Sequence, residues 1–299
     1  MGRKDRPGSL EKVFTSLCQG LDRTGAPYIK NLPFRRLEKD DTVIVLGVGK
    51  GVLKGYDRPN PIVAGIGLMT HPAEWPDLFQ QYPVKVYLQH SEWTAAIYRK
   101  YFGDHCDIWP VGIDTDKWRP VRPAHEKDID VLVYDKIMFE RDSMEKELLL
   151  PIIDCLDQER RSYRIIRYGT YQEEEFRDLL SQAKTMVFLC EHESQGIAYQ
   201  EAMAMDVPLF AWDQGKWLDP NRFAWGETDV PATSVPYFDE RCGMKFRNAI
   251  VFSETFKFFW DKATNGSFSP RSYTLENLTL EKSARTMIEI VDKWTNRTA

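Results

Sequence analysis

The sequence predicts an α/β protein built from two doubly wound, Rossmann-like halves. Three observations carry that expectation. Short β-branched or apolar runs alternate with helical stretches over residues 42–112; a segment with two prolines and mixed charge, "RPVRPAHEKD" (119–128), interrupts the pattern; and the alternation then restarts at Ile129. Such alternation builds parallel sheets covered by helices. The domain boundary is expected at Pro120, giving halves of 1–120 and 121–299. Two such halves leave a cleft lined by the carboxyl ends of strands, where α/β folds place ligands.

Each element has its own signal. Leu10, Val13, Phe14, Leu17 and Leu21 recur at helical spacing behind Gly8, with Ser9 as the expected N-cap. "TVIVLGV" (42–48), "PIVAGIG" (61–67), "VKVYLQ" (84–89) and "CDIWPVG" (106–112) read as buried strands, with a helix over Glu92–Phe102. In the second half, strands are expected at "IDVLVYD" (129–135), "SYRIIRYG" (162–169), "TMVFLC" (185–190) and 208–211. Helices are expected over 144–158, 172–183 and 197–205. Leu280, Ala284, Met287, Ile288 and Val291 give a terminal helix one apolar face.

Composition narrows the function. With 299 residues, 42% of them hydrophobic, the chain can bury sizeable cores. A net charge of −5 argues against a sequence-independent nucleic-acid binder, which would be basic. Up to Pro120 there are 17 basic and 14 acidic residues, against 23 and 31 afterwards, so the first half suits a phosphate-bearing acceptor or peripheral contact with an anionic membrane. Ordinary scatter of solvated side chains accounts for the same asymmetry. Five scattered cysteines without a CxxC pair indicate neither zinc nor a disulfide framework and fit a reducing, cytoplasmic setting. No segment approaches 18 uncharged apolar residues, so no transmembrane span is expected.

The stretch "ESQGIAYQEAMAMDVPLF" (193–210) concentrates chemistry. Gly196 marks a turn into a helix whose first amides and positive dipole end suit an anion. Glu193 and Glu201 would repel a phosphate at contact distance but accept hydrogen bonds from a vicinal diol. A diol and a phosphate on one ligand describe a nucleotide sugar. "GVGKG" (47–51) lacks the G-x-G-x-x-G spacing of a dinucleotide loop.

In context, "CEHESQGIAYQEAMAMDVPLFA" resembles the donor-binding segment of retaining glycosyltransferases of the GT-B fold, especially glycosyltransferase family 4: a strand, an E-x7-E element with a central glycine, a helix reading "EAMA" and a short strand. A second stretch, "VYLQHSEWTAAIYRKYFGDHCDIWPVGIDTDKWRP" (86–120), is similar to the segment that closes that family's first domain. The resemblance spans about residues 85 to 215. It implies two Rossmann-like domains facing across a cleft, the N-terminal one reduced, since residues 1 to 7 are too short and charged for the usual first strand. The terminal helix would cross back to the first domain.

The resemblance also assigns roles. Glu201 would bind the nucleotide ribose and Glu193 the transferred sugar, while the backbone of Ser194, Gln195, Gly196 and Ile197 would meet the sugar and diphosphate. Lys136 and Arg141 in "YDKIMFERD" match the family's basic pair in reversed order and would neutralise the diphosphate. Gly8 would let the backbone approach a phosphate or acceptor, and His71 in "GLMTHPAEW" would line the sugar site. Each has a plain alternative: a solvated basic pair, an ordinary helix start, a turn histidine. Asp206 stands where the family has glycine. Asp114-Thr115-Asp116 spells a DxD but lies in the interdomain segment, so no metal is implied. No cofactor is implied either, because the nucleotide sugar is a substrate. The expected function is metal-independent, retaining transfer from a nucleotide-diphosphate sugar to a glycan, lipid-linked sugar or small molecule. A GT-B sugar-nucleotide epimerase and a catalytically silent nucleotide-sugar binding subunit are the alternatives.

Overall fold

The computed structural model describes residues 8–295. Along the chain, α1 (Ser9–Thr24) precedes β1 (Val43–Leu46) and β2 (Ile62–Gly65), followed by α2 (Leu78–Gln81), β3 (Val84–Gln89), α3 (Glu92–Phe102) and β4 (Cys106–Ile108). The second run comprises β5 (Ile129–Lys136), α4 (Arg141–Met144), α5 (Leu150–Gln158), β6 (Tyr163–Arg167), α6 (Glu173–Gln182), β7 (Ala183–Cys190), α7 (Ile197–Ala204), β8 (Leu209–Trp212) and β9 (Gly243–Phe246). Three helices end it: α8 (Ala249–Thr264), α9 (Pro270–Asn277) and α10 (Leu280–Thr295). A π-helical turn, Glu145–Leu149, joins α4 to α5. Pro151, which has no N–H to donate backwards, accounts for that irregular turn in the helix expected over 144–158.

The chain divides into two compact units. The first holds the described residues up to Gly112 and from Leu278 onward, and the second holds Ile113–Asn277. The division falls after Gly112 rather than at Pro120. Ile113, Thr115 and Trp118 are buried, and within the second unit Arg271 donates to the carbonyls of Thr115 at 3.2 Å and Trp118 at 3.1 Å.

The first unit carries a four-stranded sheet, β1-β2-β3-β4, parallel throughout. Its strands are shorter than the apolar runs around them. β2 stops at Gly65 because Ile66 turns left-handed, at φ 38°. β4 stops before Trp109-Pro110, where proline offers no donor to a ladder. α1 begins at Ser9 with Gly8 as its N-cap, so the expected Ser9 cap sits one position inside the helix. α10 packs on α1 and buries Leu280, Ser283, Ala284, Met287 and Ile290, whereas Ile288 and Val291 stay partly exposed. Gly20 sets that crossing: a Cβ there would lie 2.4 Å from the Leu280 carbonyl oxygen and 3.0 Å from the Ala284 Cβ. Trp109, fully buried, donates from Nε1 to the Ser283 carbonyl at 3.0 Å, and the Ser283 hydroxyl donates to the Pro110 carbonyl at 2.7 Å.

The second unit carries a five-stranded parallel sheet ordered β6-β5-β7-β8-β9. Period-two alternation sorts its two faces. Val131, Val133, Val187 and Leu189 join Ile152, Leu156, Phe252, Phe256 and Phe259 of α5 and α8 in one core. Tyr134 and Phe188 point the other way, Tyr134 against Phe176 of α6 at 5.3 Å and Phe188 against Tyr199 of α7 at 5.5 Å.

Two stability measurements follow. Helix propensity alone would favour Gly20→Ala by about 1 kcal/mol. The close crossing instead predicts a net loss of roughly 1–3 kcal/mol by denaturant unfolding, and a gain would refute that packing. In the same unit, burial pushes the His90 imidazole down to about 4. The unfolded chain therefore takes up that proton first, and stability falls as pH drops from about 6.5 towards 4, by roughly 1.4 kcal/mol per pH unit. In His90→Gln that part of the slope should disappear; an unchanged slope would mean His90 does not carry it.

Candidate functional site

The strand order of the second unit contains a switch point. From β5 the chain moves out to β6 and then returns to β7 on the opposite side, so the connections reverse direction between β5 and β7. Open parallel sheets bind ligands outside the carboxyl ends of strands at such a switch point. Lys136 is the last residue of β5 and pairs in register with Cys190, the last of β7. Glu193 follows on the loop out of β7.

Lys136 and Glu193 close this end as an ion pair. Lys136 Nζ lies 2.5 Å from Glu193 Oε1, with 18% and 12% of the two side chains exposed. The ammonium also sits over the Tyr168 ring, 4.6 Å from its centre. Burial by itself depresses the Lys136 pKa, but Glu193 and Cys190 outweigh it and hold the group above the ordinary lysine value. Lys136 is therefore a fixed positive charge.

Arg141 opens α4 and reaches back to Asp135 Oδ1 at 2.5 Å, with Glu145 Oε2 3.7 Å from its Nε. The hydrogen bond it donates to Asp135 raises its pKa. The turn between the two cations is held by acids. Asp135 Oδ1 accepts from the Ile137 amide at 3.2 Å, and Glu191 Oε1 accepts from the Met138 and Phe139 amides at 2.9 and 3.0 Å. Glu140 completes it in left-handed conformation, φ 46°.

The 193–201 stretch folds as a loop and a helix. Gly196 is left-handed, φ 80° and ψ 48°, and a Cβ there would fall 2.0 Å from the Tyr199 ring, so only glycine fits. Ile197 begins α7. Ser194 is exposed, while Gln195 is buried and donates to Gln200 Oε1 at 2.8 Å. Glu201 is 4% exposed on the inward side of α7. Burial first, then Tyr171 and the charges of Glu193 and Glu201, raise the Tyr134 pKa and keep its phenol neutral. The Glu193 amide donates to the Thr233 carbonyl at 3.0 Å, tying this loop to the long β8–β9 connection. Asp213 anchors that connection by accepting from Thr233 Oγ1 at 2.7 Å and Lys245 Nζ at 2.8 Å.

The remaining sequence candidates lie in other parts of the chain. Gly8, in the first unit, is exposed with open space around it and φ −60°, a conformation any residue adopts. His71 in the same unit is fully buried; its Nδ1 accepts from the Ala73 amide at 3.2 Å, and its ring meets Tyr101 edge-on. Asp114 caps its own turn, its Oδ1 accepting from the Asp116 and Lys117 amides, both at 3.2 Å. Among the described residues no three His, Cys, Asp or Glu side chains form a metal-holding group. Asp206 takes the left-handed position that ends α7, φ 57°, and its Oδ1 accepts from the Arg271 amide at 3.2 Å.

Glu191 and Asp135 carry no signal of their own in the sequence. Both stand beside a residue that does, Glu191 two places before Glu193 and Asp135 immediately before Lys136. Only the turn between β5 and α4 shows what they hold.

Comparison with solved structures gives the architecture its name. AviGT4, a glycosyltransferase involved in avilamycin A biosynthesis, superposes with a TM-score of 0.63 at 13% identity over 97% of this chain and 91% of that one. A glycosyltransferase from Rickettsia africae ESF-5 gives 0.61 at 10% identity, over 100% and 85%. A TarM mutant of S. aureus, solved with fondaparinux, alpha-GlcNAc-glycerol and UDP, gives 0.61 at 11% identity, over 94% and 58%. The fold is GT-B. Identities this low establish the fold alone. No family model and no curated protein matches the chain.

The buried pair at the centre of the site is open to a direct test. Lys136→Ala and Glu193→Ala should each destabilise the protein by roughly 3–5 kcal/mol, because each strands a charge. The double variant should be less destabilised than the two losses added together. Additive effects in the cycle would show that the two charges are not coupled.

Proposed function

We propose that this protein is a metal-independent, retaining glycosyltransferase that moves a sugar from a nucleotide-diphosphate donor to an acceptor of the glycan, lipid-linked sugar or small-molecule class. The observation that carries the reading is the Lys136–Glu193 pair at the β5/β7 switch point, beside the Gly196 turn and the start of α7. GT-B neighbours named as glycosyltransferases, and a TarM structure solved with UDP, support the same reading.

The chemistry follows from charge. Transfer leaves negative charge on a departing diphosphate and positive charge at the anomeric carbon. Lys136, Arg141 and the first amides of α7 would face the diphosphate, stabilising the developing negative charge with groups already in place. In this structure the two cations are held by Glu193 and Asp135. A phosphate taking Lys136 would therefore release Glu193 towards the sugar, where a carboxylate stabilises an oxocarbenium-like centre. Glu201, buried on α7, would accept from the ribose hydroxyls. With attack on the face the diphosphate leaves, the departing phosphate oxygen would take the acceptor's proton. His71 and Gly8 carry no part of this proposal.

Donor-dependent kinetics on a panel of UDP-, GDP- and ADP-sugars test it, with acceptor present or omitted and with excess EDTA in a parallel set. Turnover should require acceptor, persist in EDTA and give a product retaining the donor's anomeric configuration. Epimer formed without acceptor, binding without turnover, or activity lost to EDTA and restored by magnesium would each overturn it. Glu201→Gln should chiefly raise the donor KM, since a ribose contact is equal in ground and transition states. Glu193→Gln should chiefly lower kcat, about tenfold for every 1.4 kcal/mol by which the transition state is less stabilised. Equal, small effects would place the donor elsewhere.

A further inference from the structure

Three consecutive backbone amides in the turn after β5 face carboxylates of the chain itself: Ile137 donates to Asp135, and Met138 and Phe139 donate to Glu191. Successive amides of this kind form the cradle that α/β proteins commonly offer to a phosphate. In this chain the cradle is filled by fixed anions. Glu191 is 4% exposed, and its second oxygen, Oε2, is buried with no hydrogen-bond partner. Burial pushes this carboxyl above the usual range against the pull of the amides and of Lys136. A half-satisfied buried acid is costly to folding. It stands where it clamps the turn that joins the two cations of the site, a turn that also carries the left-handed Glu140.

We propose that Glu191 is a positioning residue of the donor site. By holding the Met138 and Phe139 amides it fixes the spacing of Lys136 and Arg141, and it keeps those amides from the ligand. A nucleoside diphosphate is then gripped at this turn by cationic side chains rather than by a backbone cradle. The inference rests on the donor-site reading above.

Calorimetric titration of UDP, GDP and ADP into wild type, Glu191→Ala, Glu191→Asp, Glu191→Gln, Arg141→Ala and the Glu191→Ala/Arg141→Ala double variant tests it. Glutamine keeps a side-chain oxygen for the amides and should bind the preferred nucleotide close to wild type. Alanine removes the acceptor, and aspartate withdraws it by one methylene while keeping the charge. Both should weaken binding roughly ten- to a hundredfold, the scale of a misplaced contact group. Aspartate serves alone if alanine does not fold. In the Arg141→Ala background, Glu191→Ala should cost less than in wild type, because part of its effect passes through Arg141. A purely structural Glu191 would lower Tm while leaving the Kd of the folded protein unchanged, and that result overturns the proposal. So does tighter binding in Glu191→Ala, which would mean the uncovered amides receive the phosphate. If wild type binds none of the three nucleotides, the donor-site reading itself falls and this inference with it; if wild type binds and the Glu191 variants match it, only the role of Glu191 falls.

Discussion

The buried Lys136–Glu193 ion pair is the constraint around which the second unit is arranged. Two charges cannot be taken from water so nearly completely unless each meets the other at close range. The pair meets that requirement at the carboxyl ends of β5 and β7, where the backbone ladder sets Lys136 opposite Cys190. It also fixes where the loop from Glu193 to Gly196 runs, and hence where α7 starts. Gly196 then has to turn left-handed against the Tyr199 ring, leaving no room for any other residue.

Around this pair the chain assembles more acid than base. Asp135, Glu191 and Glu193 all contact the segment that bears Lys136 and Arg141. Lys136 and Arg141 each already have an anionic partner, so under the proposed donor-site reading a phosphate would compete with resident carboxylates rather than fill a bare positive patch. Binding would then be an exchange of ion-pair partners, with selectivity set by how well the ligand reproduces the geometry of the carboxylates it displaces. The net negative charge of the second half of the sequence is in part this local arrangement.

The first unit obeys a different constraint, steric rather than electrostatic. Gly20 and Gly112 both abut the backbone of Leu280, so the start of α10 lies against α1 and the end of the β4 segment with no side chain between them. Trp109 and Ser283 then lock the contact with hydrogen bonds in both directions. A helix that is last in sequence thereby completes the unit that is first.

Much of this was legible in the sequence, because it depends on short-range pattern. Alternating apolar runs placed eight of the nine strands among the described residues, and helical spacing placed α1 and α10, since burying one face imposes a period on any segment; α3, α6 and α7 followed from the stretches between strands. Glu193, Gly196 and Glu201 stood out as candidates through a family resemblance rather than by spacing alone, and the two-sheet α/β class followed from alternation. β9 was missed because "GMKF" is short and includes a glycine and a lysine, and it becomes a strand only because β8 offers it an edge. The ends of β2 and β4 were overestimated, because Ile66 and Pro110 break the ladder inside apolar runs that look continuous. Which charges meet was not legible at all. Lys136 and Glu193 are 57 residues apart and Glu191 reaches amides 52 and 53 residues away. The sequence by itself determined the elements and the chemical types available at their ends; only the tertiary structure decided the pairings, because strand order in a parallel sheet is set by crossovers that no local pattern encodes.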